Sequence, residues 1–137
     1  MTALPSPQEI RENFQFLENW EDRYAYIIDL GHALPPYPQE FRSDDKKVRG
    51  CAAQVWLHTR HENGVLYFDA DSDAHIVRGL IAILLSLYSG KTPQQVLSSD
   101  AKSFLKELKL ADHLTAQRAN GLAAMVRRIE DEARAIV

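Results

Sequence analysis

The chain has 137 residues, enough for one ordinary domain, with 45% hydrophobic and 26% charged residues. Its net charge of −3 at pH 7 speaks against nucleic acid or an anionic membrane surface as partner. The single cysteine excludes an internal disulfide and fits a reducing compartment.

In chain order, the opening "MTALPSPQEI" lacks the basic start and apolar core of a signal peptide, so a cytoplasmic protein is expected. "SPQE" at Ser6–Glu9 is a capping box with proline at the first helical position. Ile10, Phe14 and Leu17 follow at helical spacing. Asn19 can cap a second helix, whose stripe is Trp20, Tyr24, Ile27, Ile28 and Leu34. "LPPYPQ" ends it, since proline cannot continue a helix, and Arg42 to Lys47 reads as a polar loop.

From Gly50 the period changes to two. Cys51, Ala53, Val55 and Leu57 share one face, and Ala52, Gln54, Trp56 and His58 the other. Asn63-Gly64 is the preferred pair of a tight hairpin, "VLYFDA" is the returning strand, and Val48 offers the start of a third. Ser72 can cap "DAHIVRGLIAILLSLY", which is apolar on nearly every side and is expected to be the central buried helix. Its apolar core, Ile76 to Tyr88, is too short and too broken to span a bilayer, and Gly90 stops it. "TPQQ" starts a short helix, "SFLKELKL" is another, and Thr115 caps the last, with Leu122, Val126, Ile129 and Ala133 as its stripe. Helices, a small sheet, then helices predict an α+β fold. We expect an antiparallel sheet of two or three strands packed by about five or six helices, in a single domain over 1–137.

The sequence holds no glycine-rich phosphate loop and no paired-histidine zinc motif. One cysteine cannot by itself ligate an iron–sulfur cluster or a structural zinc. Asp69, Asp71 and Asp73 alternate, but the glycine and distal glutamate of a calcium loop are missing, which leaves caps and solvated charges. Cys51 itself reads two ways. It can be a small core residue beside Ala53 and Val55. It can also be a reactive thiol: Gly50 allows an unusual backbone angle, and Lys46, Lys47 and Arg49 favour thiolate. Arg118 falls at the third position of the last helix, where a cation opposes the helix dipole by about 0.3–1 kcal/mol. It is either a tolerated surface residue or the partner of an anionic group.

"GCAAQVW" resembles the signature of the SufE-type sulfur acceptors, Gly-Cys-x-Ser-x-Val-Trp, with Ala53 in place of the frequent serine. "NWEDRYAYIIDLG", "DSDAHIVRGLIA" and "LTAQRANGLAAM" resemble three further blocks of that family, in the same order and at similar spacing. The resemblance implies a small curved antiparallel sheet packed by helices. It implies that the protein accepts sulfur from, and activates, a pyridoxal-phosphate-dependent cysteine desulfurase (SufS-like or a paralogue). Cys51 would carry the sulfur as a persulfide and pass it to a SufBCD-like scaffold that assembles iron–sulfur clusters. The acceptor itself would need no metal or cofactor, and a homodimer is admitted. Arg49, Gly50, Asp73 and Arg118 would belong to the partner-facing surface. Two alternatives stand beside this reading: an independent thiol enzyme, such as a peroxidase or hydrolase using Cys51, and a binding module with an inert cysteine. In phase with Ala53 and Val55, the thiol is expected to be sheltered until a partner binds.

Overall fold

The computed structural model describes residues 4–136. Six α-helices and one two-stranded antiparallel sheet run along the described residues, so the expected α+β fold is present. Helix α1 (Pro7–Phe16) starts where Ser6, in extended conformation, accepts the Glu9 N–H at 3.2 Å. Helix α2 (Trp20–His32) starts at Asn19, whose side chain accepts the Asp22 N–H at 2.8 Å. Ile27 and Leu30 bury into the core, but Tyr24, expected on the same stripe, is 38% exposed. Its ring stays at the surface because its hydroxyl meets the Arg118 guanidinium there, at 3.4 Å.

Strands β1 (Val55–Glu62) and β2 (Val65–Ser72) pair in register from Glu62↔Val65 to Val55↔Ser72. Asn63 and Gly64 both have positive φ, 54° and 81°, as a type I′ turn demands. The alternation expected from Gly50 onward does not begin until Val55. Gly50, at φ 92°, turns the chain, and residues 51–54 bend instead of extending. The third strand contracts to a single bridge between Lys47 and Trp56, with the Val48 N–H donating to the Val55 carbonyl at 2.8 Å. Val55 and Leu57 face the core as the period requires. Trp56, on the opposite face, is buried as well, because Arg42 lies over its ring at 4.9 Å. Arg42 in turn pairs with Asp71, and Arg78 stands 3.1 Å from the same carboxylate.

Helix α3 (His75–Tyr88) is the central buried helix, packed against α2 and β2. Ile81, Ile83, Leu84 and Leu85 are all 2% exposed or less, and burying each side chain contributes about 1.5–3 kcal/mol. The helix opens two residues later than expected. Ser72 ends β2, and its hydroxyl accepts the Ala74 N–H at 3.2 Å rather than capping α3. The crossing of α2 and α3 is backbone on backbone: a Cβ at Gly79 would stand 2.0 Å from the Ile27 carbonyl oxygen.

Helix α4 (Pro93–Ser98) carries a complete reciprocal capping box between Thr92 and Gln95. Helix α5 (Ala101–Glu107) starts earlier than "SFLKELKL" suggested, because Asp100 caps it; Leu110 falls in a separate 3-10 turn, Leu110–Asp112. Helix α6 (Ala116–Ile136) opens with Thr115 accepting the Arg118 N–H at 3.2 Å. It buries Leu122, Met125, Ile129 and Ala133 against α3 and α4, while Val126, expected on that stripe, packs only partly. No helix among the described residues is long and apolar enough to cross a membrane.

Candidate functional site

Cys51 lies in a short loop between two main-chain anchors. On the near side, Val48 bonds to Val55, and the Arg128 guanidinium donates to the Lys47 and Asp45 carbonyls at 2.9 Å each. On the far side, the Asp73 carboxylate accepts the Gln54 N–H at 3.1 Å, and the Asp73 N–H donates to the Gln54 carbonyl at 3.4 Å. Between these anchors Gly50 takes φ 92°, and a Cβ there would come within 3.3 Å of the Ala124 side chain on α6. An L side chain would be strained in that conformation, so glycine is what lets the loop fold down onto α6.

That fold puts the half-buried Cys51 against Gly121 of α6, with Sγ 3.6 Å from the Gly121 carbonyl as a weak S–H donor. The sulfur shares an apolar pocket with Ala53, Val55, Val77, Leu80, Leu122 and Met125, and Arg118 is the charged residue of the lining. Burial pushes the Cys51 pKa above its ordinary 9.0. This corrects the expectation that the upstream cations favour thiolate. Lys46 lies over the Phe41 ring at 5.6 Å, and Lys47 stands 3.6 Å from Asp44. Arg49 is exposed. Desolvation therefore decides, and the resting group is the thiol.

Of the expected site residues, Cys51, Gly50 and Arg118 come together around the pocket, the first and last as lining and Gly50 as the bend that delivers the thiol. Arg49 sits on the exposed rise of the same loop. Asp73 does not line the pocket; it fastens the end of the loop. Sheltering of the thiol, expected from strand phase, arises instead from helix contact, since Cys51 is not in a strand. The three alternating aspartates do not form one cluster. Asp69 pairs with Arg60 at 3.0 Å, Asp71 with Arg42 and Arg78, and Asp73 with Gln54. No group of three or more metal-ligating side chains stands together among the described residues.

Two residues of the site escaped the sequence reading. Gly121 was visible as a glycine inside a helical pattern, a position that usually has a packing or functional reason. Tyr24 gave no signal, because an aromatic at helical spacing reads as core; only the fold shows that its hydroxyl meets Arg118.

A family model described as "SufE: Fe-S metabolism associated domain" matches residues 8–133. An uncharacterized SufE-like protein of Rhizobium etli is 47% identical over 135 residues, covering 96% of this chain and 91% of the relative. One from Rhizobium meliloti is 47% identical over 137 residues, covering 97% of this chain and 96% of the relative. The solution structure of a hypothetical protein from Thermus thermophilus shares the fold, with a TM-score of 0.78 at 22% identity over 97% of this chain and 96% of that one.

Proposed function

The chain belongs to the SufE family, and on that premise we propose that it accepts sulfur from a pyridoxal-phosphate-dependent cysteine desulfurase and activates that enzyme, with Cys51 carrying the sulfur. The observation that carries this reading is a lone thiol on a doubly anchored loop, folded into an apolar pocket. The cofactor belongs to the partner. The transfer needs only two thiols. Cys51 loses its proton and attacks the outer sulfur of the partner's persulfide; the S–S bond of the donor breaks, a new one forms at Cys51, and the partner's thiolate leaves and takes up a proton. The carried sulfur then goes to a scaffold for iron–sulfur assembly.

The Cys51 thiol is half-buried against Gly121, so in this reading the loop lifts to present the sulfur to the partner. If the lifted form is about 1% populated, it lies about 2.7 kcal/mol above the closed one, an amount that differential partner binding can supply. Arg49, Gly50, Asp73 and Arg118 form the partner-facing surface in this reading, with the exposed Tyr24 beside Arg118. An independent thiol enzyme would need a base on Sγ, whereas the Gly121 carbonyl that Sγ contacts takes up no proton.

Replacing Cys51 by serine tests the proposal. Serine nearly keeps the size and removes the nucleophile, so binding to the desulfurase is expected to persist while stimulation of its turnover vanishes. On intact mass, the native chain is expected to gain one sulfur when incubated with the desulfurase and L-cysteine. Full stimulation by Cys51→Ser would refute the acceptor role.

A further inference from the structure

Gly121 occupies the sixth position of α6, a helix of 21 residues. Glycine is the poorest helix former after proline, so a helix interior does not choose it without cause. Its φ is not in the left-handed region, which removes the usual reason for glycine. Nor does close packing require it. A Cβ at this position would stand 3.5 Å from Cys51 Sγ and 3.8 Å from Cys51 Cα and Cβ, all ordinary van der Waals contacts. The contrast is Gly79, where the same atom would lie 2.0 Å from a carbonyl oxygen. Alanine thus fits against the thiol form of the protein, and only something larger than the thiol needs the space.

We propose that Gly121 is a positioning residue that reserves the volume for the outer sulfur of a Cys51 persulfide in the closed loop. This rests on the acceptor reading above. The outer sulfur sits about 2.05 Å from Sγ, at the length of an S–S bond, and it must share the pocket with Leu80, Leu122 and Met125. The empty side of Gly121 faces Sγ directly, so a methyl group there competes with the outer sulfur and not with the thiol. Overpacking of a closed site of this kind shifts its equilibrium about tenfold. With alanine at 121, the thiol keeps its closed loop and the persulfide forces the loop open.

The test compares native protein with Gly121→Ala, each as thiol and as persulfide. Persulfide is made with inorganic polysulfide, from which the Cys51 thiolate takes one sulfur while the shortened polysulfide leaves. The readout is the rate of iodoacetamide capture, with the state of Cys51 read by intact mass. We expect thiol capture within about twofold of native and persulfide capture about tenfold faster in Gly121→Ala, with a melting temperature no lower than native. Asp73→Ala, which frees the Gln54 N–H and loosens the loop, should accelerate both forms together. If Gly121→Ala also speeds both forms alike, or leaves both unchanged, Gly121 reserves no room for the outer sulfur and the inference falls. Loading by polysulfide does not involve a desulfurase. Failure of a desulfurase to load native Cys51 would therefore sink the acceptor reading alone, while the ratio of the two capture rates would still judge Gly121.

Discussion

Burial alone sets the Cys51 pKa shift, and it acts upward from 9.0. At neutral pH the thiolate fraction in the free protein is therefore smaller than in a peptide. Alkylation of Cys51 is expected to rise with pH through an inflection above 9.0, and at neutral pH to run more slowly than alkylation of a peptide thiol. A rate-against-pH profile with iodoacetamide reads both; an inflection below that of a peptide thiol would mean that cations, not desolvation, govern the site. The same residue shows where sequence reasoning reached its limit. That Cys51 is sheltered was legible, but for a different reason than strand phase. The charges of Lys46 and Lys47 are plain in the sequence, whereas their side chains are drawn to Phe41 and Asp44 by contacts that only the folded loop creates.

Among the elements, the hairpin and four of the helix starts were legible because each depends on local chemistry. Asn63-Gly64 makes the turn, and Ser6, Asn19, Thr92 and Thr115 each accept the backbone N–H three residues on. Two of the misplaced boundaries share one cause. The start of β1 and the start of α3 are tied to each other by the bonds between Gln54 and Asp73, a pairing 19 residues apart that no local pattern reports. Gly79 was another such case: its place inside an apolar helix gives no hint that the α2 backbone passes over it. Gly79→Ala would drive Cβ into the Ile27 carbonyl, so α2 and α3 must move apart. We expect a loss of about 3 kcal/mol, measured by urea denaturation, although the same substitution on an open helix face would stabilise. A change below about 1 kcal/mol would show that the crossing yields easily.

At the level of the molecule, Asp71 of strand β2 ties the segment carrying Arg42, 29 residues earlier, to α3 through Arg78. Its carboxylate is 15% exposed and the two arginines 26% and 30%, so the network is partly screened. Asp71→Asn removes the charge between two guanidinium groups and is expected to cost about 2 kcal/mol, below the range for fully buried pairs. A urea midpoint unchanged from native would assign no role to the network. The doubly anchored loop has a further consequence, one of reach. Five residues, 49–53, lie between the Val48 and Gln54 anchors. With each residue spanning at most about 3.3–3.6 Å, a midpoint tethered by three residues on either side can travel about 10 Å while both anchors hold. That distance is a depth gauge for any recipient. A thiol lying deeper than this below its own protein's surface could be met only by releasing an anchor, and the Val48 or the Gln54 amide, whichever was freed, would then exchange its hydrogen with solvent at the moment of docking.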